Sequence, residues 1–256
     1  VMNRKQTVSI MINEEDHLRL QSIRSGLHLR EAYQLIAGID KDLEQSLPYA
    51  FDHELGYLTA CPTNVGTGLR ASAMLHLPGL VISDHIGQVI QAVGKLGLAV
   101  RGIFGEGTES LGHLFQISNQ STLGESEEDI LNRLERVIQR VREQERNARS
   151  KLLEEDPQML ADKISRAYGQ LKYAYVIDSK EALTHISLVR LGSDMGCFPK
   201  EAMKLCDSLL MDIEPAHLQH QADRKLSPEE RDTMRAEIIR SRLQNLSSPV
   251  INFITS

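Results

Sequence analysis

Two textures divide this chain. Up to about residue 125, short strand-like runs mix irregularly with helical stretches, and from Ser126 onward almost everything reads as helix. That layout excludes a doubly wound sheet, which needs strand and helix in regular alternation, and leaves an α+β fold. The runs at 6–12 (QTVSIMI), 55–60 (LGYLTA), 72–77 (SAMLHL), 98–104 (LAVRGIF) and 114–119 (LFQISN) are apolar or β-branched, as strands are. Residues 29–47 and 82–96 carry apolar positions at helical spacing, and the second stretch stops at Gly97. After Ser126, the residues Ile130, Leu134, Val137, Ile138 and Val141 recur at steps of three and four, the signature of one buried helix face. Beyond Val141 the sequence REQERNARSK turns polar, so the last turns of this helix are expected in solvent, with its end before Pro157. Further helices are predicted at 158–172, 179–193, 199–211 and 228–244, and LSSPVINFITS reads as a loose tail.

Composition narrows the class. The 256 residues are 41% apolar and 25% charged, with a net charge of -6, so one large or two modest domains are expected and a non-specific grip on nucleic acid is not. The three cysteines (Cys61, Cys197, Cys206) form no CxxC pair and are too scattered for a disulfide framework or a structural zinc site. No apolar run approaches the ~20 residues of a membrane span, and the start lacks a secretory signal, so a reducing, cytoplasmic setting is expected. The chain opens on Val with a strand almost at once, which suggests a piece of a longer protein.

Three clusters stand out: NEEDHLR at 13–19, CPTNVGTGLR at 61–70 and RGIFGEGTES at 101–110. Each has an ordinary explanation as a capped turn, a tight glycine turn or a solvated surface. Jointly they place an arginine with an acid or a thiol at three strand-to-loop junctions. Arginines gathered at one end of a sheet repel one another unless an anion sits among them, and a triphosphate meets that demand.

The segments Asn13-Glu14-Glu15-Asp16-His17, CPTNVGTGLR, RGIFGE (101–106) and ISNQSTLG (117–124) occur in the order of the phosphagen (guanidino) kinase family, which the chain resembles from residue 8 to about 145. The absence of tryptophan, the roughly hundred residues after the long helix, and the wording MINEEDH and CPTNVGTGLRAS resemble the bacterial branch that phosphorylates arginine in proteins. The resemblance implies a catalytic lobe over 1–152, an antiparallel sheet flanked by helices, then an all-helical phosphoarginine-binding domain over 153–246 and a tail at 247–256. It implies ATP with Mg2+ as cofactors, protein substrates with exposed arginines, an activator protein, a Clp ATPase and a stress-response role, with a homodimer possible and neither membrane nor direct nucleic-acid contact. The family's small helical N-terminal domain and its SSRIR-like strand are not found in this sequence, so an incomplete ATP site is expected here.

A guanidinium stays protonated below a pKa above ~12, so phosphorylating it needs carboxylates that hold its planar fork and accept its proton. The resemblance gives Glu15 the role of base, Glu106 that of second clamp, Glu14 a helper's role and Cys61 that of the reactive thiol. It gives the phosphates to Arg19, Arg70 and Arg101, and the nucleotide lining to Ala71, Ser72, Ala73, Met74, Gly102, Ile103, Phe104, Gly105 and Glu106. No GxxxxGK[ST] loop and no dedicated metal ligands are expected.

In SPEERDTMRAE (227–237), Ser227 fits an N-cap, Pro228 a first helical position and Glu230 a capping box. Arg231 and Arg235 are then like-charged i,i+4 neighbours, a pairing that costs about 0.2–0.5 kcal/mol and that Asp232 can relieve. Composition alone makes this a solvated face. RDTMRA nevertheless resembles the RDxxRA motif of the same branch, which implies an allosteric phosphoarginine site at Arg231, Asp232, Arg235 and Ala236. Cys197, Cys206 and the stripe Leu183, Ile186, Leu188, Val189 and Leu191 read as core. Two other functions stay open: a kinase for free arginine, and a phosphoarginine-binding module without activity.

Overall fold

The computed structural model describes residues 1–103 and 110–254. Two compact units emerge. One gathers Val1–Leu75, Gln88–Val100 and Gln116–Arg142, and the other His76–Gly87, Arg101–Phe115 and the chain from Glu143 onward.

The first unit opens with β1 (Val8–Ile12) and β2 (Leu18–Ser22), an antiparallel hairpin in which Ile10 faces Leu20 and Ile12 faces Leu18. β2 is absent from the sequence expectation because LRLQS alternates leucine with polar residues over only five positions, too short a pattern to stand out. Its presence turns the acidic motif into a hairpin loop, entered at Asn13 with φ 54°. α1 (Leu29–Glu44) follows, tied to the long helix by Arg30, which contacts Glu128 at 2.9 Å and Glu135 at 3.3 Å. The strand expected at 55–60 shrinks to β4 (Gly56–Tyr57), paired with β3 (Phe51–Asp52). Tyr57 packs edge-on against Phe51 and Tyr49 there.

β5 (Ser72–His76), β6 (Leu98–Gly102) and β7 (Leu114–Asn119) form a sheet of order β5-β7-β6. The bonds Asn119 N–H to Ala71 O and Leu77 N–H to His113 O run β5 and β7 antiparallel. The helix expected at 82–96 is α3 (Ile86–Lys95), preceded by a short helix not foreseen, α2 (Pro78–Ile82), which begins at a proline suited to a first turn. Asp84, at φ 58°, breaks the backbone between them.

α4 (Glu127–Glu155) buries Ile130, Leu134, Val137, Ile138 and Val141 as the spacing predicts. Its final turns leave most of REQERNARSK exposed, as expected, but bury Glu145 and Ala148 within it and Leu152 just beyond. Glu145 accepts the N–H groups of Gly79 and Leu80, both at 2.9 Å, at the start of α2, a helix that has no side-chain cap of its own. Those amides have no partner within the helix, so a buried carboxylate is satisfied there rather than stranded. Arg149 closes the arrangement, 2.6 Å from Glu145 and 3.0 Å from Asp194.

The second unit is dominated by α5 (Pro157–Tyr173), α6 (Ser179–Asp194), α7 (Glu201–Asp212), α8 (Pro215–Gln221) and α9 (Pro228–Arg242). Asp156 and Asp178 cap α5 and α6, and Ser227 and Glu230 build the expected capping box on α9. Ile164, Leu183, Ile186, Val189, Leu209 and Ile239 meet in the core, joined by Cys197 and Cys206. α8 offers one buried residue, Leu218, too little periodicity to foresee a helix. Among its described residues the tail lacks regular structure but is not loose. Leu246 is buried, its carbonyl accepts the Tyr168 hydroxyl at 2.7 Å, and Val250 N–H bonds Cys197 O at 2.9 Å. No helix among the described residues is long and apolar enough to cross a membrane.

Ser187 of α6 stands between two imidazoles, 2.7 Å from His76 Nε2 and 2.7 Å from His113 Nδ1. A hydroxyl donates once and accepts from the other side, so two neutral rings of suitable tautomer satisfy it. Burial, then Arg190 and Arg149, drive His76 well below its ordinary value of 6.5, and burial pushes His113 down to about 4. Between 6.5 and about 4 the unfolded chain therefore binds more protons than the folded one, and stability must fall as pH falls through that window. Urea unfolding is expected to show a loss on the order of 2 kcal/mol from His113 by about pH 5. His113→Asn, which tolerates the residue's φ of 54°, is expected to flatten that slope.

Candidate functional site

The acidic loop closes on itself through Asn13 N–H to His17 O at 3.0 Å. Glu14 and Glu15 are both exposed at its tip. Glu14 meets Arg19, on β2, at 3.1 Å. The Glu15 backbone N–H, then Arg19, hold the Glu14 carboxyl below its usual range. Asp16 is half-buried and turns to a second loop, accepting Ala60 N–H at 2.7 Å, Cys61 N–H at 3.4 Å and Asn64 Nδ2 at 2.7 Å.

That second loop carries Cys61, followed by the 3-10 turn Pro62–Asn64. The Cys61 thiol lies 3.0 Å from the Thr63 hydroxyl and is half-buried. The loop's other side rests on ISNQSTLG. Thr122 donates its hydroxyl to Thr63 O at 3.0 Å and Val65 O at 2.8 Å, and Thr67 N–H returns a bond to Thr122 O at 2.9 Å. Asn119 accepts Ala71 N–H at 2.8 Å and donates to Leu69 O at 2.9 Å. Gly66 makes this approach possible. Its φ is +114°, and a Cβ there would stand 2.1 Å from Thr122 O. Sequence reasoning singles out neither Asn119 nor Thr122 nor Asp16, although all three lie inside motifs that it marks.

Of the nucleotide-side residues, Arg70 and Arg101 are exposed. Ala71 is buried, Ser72 receives Gln116 Nε2 at 2.9 Å, Ala73 is half-buried and Met74 is 63% exposed. Gly102 ends β6, and Ile103 N–H bonds Leu114 O at 2.9 Å. Phe104, Gly105 and Glu106 lie outside the described residues. The structure thus brings Glu14 and Glu15, with Arg19 beside them on β2, and Cys61 to two loops joined by Asp16, within one unit, while Arg101, Gly102 and Ile103 belong to the other.

On α9, Arg231 is half-buried and donates to Leu226 O at 3.2 Å, and Asp232 is half-buried. Arg235 is 1% exposed and Ala236 is equally buried. Arg235 spends its guanidinium on Ile177 O at 2.9 Å, Ile213 O at 3.2 Å and Asp232. It is a buried tie between helix ends, not part of a solvated face. A separate hollow of about 480 Å³ in this unit is lined by Asp212, Met234, Glu237 and Arg242, among others, and not by Arg231, Asp232 or Arg235.

Residues 1–148 match the ATP:guanido phosphotransferase C-terminal catalytic domain, and residues 157–253 match the protein-arginine kinase McsB C-terminal domain. The protein-arginine kinase of Brevibacillus brevis is 51% identical over 248 residues, 97% of this chain and 70% of that protein. The protein-arginine kinase of Syntrophomonas wolfei is 52% identical over 93% of this chain and 66% of its own length. The crystal structure of a lombricine kinase is 30% identical and superposes with a TM-score of 0.51 over 58% of this chain and 42% of that one.

The two glycines of the Cys61 loop separate two kinds of strain. Gly68, at φ +62°, has only Asn64 O within reach of an added Cβ, at 3.9 Å. Gly68→Ala is expected to lose about 1–2 kcal/mol for the left-handed backbone alone. Gly66→Ala must also displace Thr122 and is expected to lose about 3 kcal/mol or more, both read by urea denaturation of the full-length protein.

Proposed function

The chain belongs to the ATP:guanido phosphotransferase family and matches protein-arginine kinases along nearly its whole length, and from that premise we propose how its residues move a phosphoryl group from ATP to an arginine side chain of a protein. The observation that carries the proposal is the pairing of two loops: exposed Glu14 and Glu15 on one, the Cys61 thiol on the other, held together by Asp16.

An incoming guanidinium presents five donors in a plane, and a carboxylate accepts two of them side by side. Glu15 takes that place and receives the proton released as a terminal guanidinium nitrogen attacks the γ-phosphorus. The N–P bond forms, the bond from the γ-phosphorus to the bridging oxygen breaks, and ADP leaves. Cys61 lines the same fork from the neighbouring loop, with Thr63 orienting its thiol. Glu106 is the second clamp of this reading. Arg19, Arg70 and Arg101 neutralise phosphate oxygens, the main demand of phosphoryl transfer. Mg2+, when bound with ATP, supplies further neutralisation across the phosphates.

The reading extends to a catalytic portion over 1–152, proteins with exposed arginines as substrates, and phosphoarginine recognition on α9 by Arg231 and Asp232 beside the buried Arg235. Cytoplasmic marking of proteins for a Clp ATPase, in a stress response with an activator partner and as a homodimer, rests on the resemblance of the motifs.

Full-length protein given ATP is expected to phosphorylate arginines of an unfolded protein, read by mass spectrometry, and to leave free arginine unturned. Glu15→Gln is expected to lower kcat about 10²- to 10⁴-fold, the usual contribution of a positioned base, with KM for ATP little changed. Turnover of free arginine alone, or an undiminished kcat in Glu15→Gln, overturns the reading.

A further inference from the structure

We propose that Asp16 is a positioning residue for phosphoryl transfer, registering the Cys61 loop against the carboxylates of the acidic hairpin so that thiol and carboxylate meet one guanidinium; the proposal rests on the function just described. Asp16 lies between the exposed Glu15 and His17, yet it is half-buried. Its side chain reaches residues 44 to 48 positions along the chain, on the Cys61 loop. One oxygen takes the N–H groups of Ala60 and Cys61, and the other takes the Asn64 amide. A carboxylate is acceptor-only, and charge-assisted bonds from three donors on one loop fix both its distance and its orientation.

The cysteine backbone is fixed from both directions. Its N–H goes to Asp16, and its carbonyl accepts the Thr59 hydroxyl at 2.7 Å and Asn64 N–H at 3.0 Å. The thiol is therefore placed by a frame in which Asp16 is the one member belonging to the hairpin. Glu14 cannot do this work, since it is turned to Arg19, 3.1 Å away. Two groups acting on one planar fork need mutual placement within a fraction of an ångström, and a slip of about 1 Å can lower a rate about a hundredfold. Asp16 does not touch the guanidinium in this arrangement; it acts through Cys61 and through the hairpin that bears Glu15.

The test uses full-length protein with Asp16→Ala and the exchange Asp16→Asn with Asn64→Asp. In the exchange, an amide at position 16 still accepts the two backbone N–H groups and donates to a carboxylate at position 64. Asp16→Ala is expected to lower kcat about 10- to 100-fold while KM for ATP holds within about twofold. The exchange is expected to return kcat to within about threefold of wild type. Cys61 alkylation by iodoacetamide, followed by mass spectrometry, is expected to change several-fold in rate in Asp16→Ala and to revert in the exchange. Circular dichroism melts establish that each variant is folded at the assay temperature. A kcat within about threefold of wild type in folded Asp16→Ala, an unchanged alkylation rate, or a folded exchange variant that stays slow overturns the proposal. If wild-type protein phosphorylates no protein arginine, the functional reading fails instead, and the alkylation rates still decide whether Asp16 registers the thiol.

Discussion

A loop that carries a half-buried thiol and an exposed arginine must find partners for its own backbone amides and carbonyls elsewhere, and the first unit is organised around that need. The stretch from Ala60 to Ala71 has little regular structure, so apart from the bridge between Gly66 and Tyr57 no ladder satisfies its peptide groups. Asp16 takes amides at its start, Thr122 takes carbonyls in its middle, and Asn119 takes one amide and one carbonyl at its end. Three polar side chains thereby do what a neighbouring strand would do. The close approach this requires is possible only at a residue without a Cβ, which is why Gly66 sits where Thr122 O comes nearest.

The second unit uses the same solution with buried charges. Glu145 terminates the first amides of α2, and Arg235 terminates carbonyls at Ile177 and Ile213, the ends of segments that lead into and out of helices. A buried ion without partners is strongly destabilising, so each is kept where peptide dipoles and a counter-ion meet it: Arg149 for Glu145, Asp232 for Arg235. Asn119, Thr122, Glu145 and Arg235 are thus joints between elements, and the apolar residues around them supply the burial that makes the joints rigid.

Much of this fold is legible in the order of the residues. The five apolar residues of α4 from Ile130 to Val141, the capping box of α9 and the stripe of α6 are local patterns, and local patterns survive translation into three dimensions. What the chain hides is anything settled by distant partners. REQERNARSK is mostly solvated as it reads, but its Glu145 is not, because the sequence does not show the α2 amides that draw this carboxylate inside. Arg235 looks solvated for the same reason. β2 is half-exposed and carries an arginine, so its apolar signal is weak and only its pairing with β1 defines it. The four motifs imply, by resemblance, a phosphotransferase site and roles for Glu14, Glu15 and Cys61, but not the division of bonding partners within its loops.

That division is sharpest in the three consecutive acids of the hairpin loop. Charge and neighbourhood are nearly identical for Glu14, Glu15 and Asp16, yet one pairs with Arg19, one stays open to solvent and one is drawn to the other loop. Side-chain length accounts for part of the split. Aspartate keeps its oxygens one methylene closer to its own backbone, so it bonds well to peptide N–H groups of a segment packed nearby, and its shorter side chain has fewer rotamers to lose. The Glu14–Arg19 pair and the Asp16 bonds thus fix the acids on either side of Glu15, which stays exposed between them.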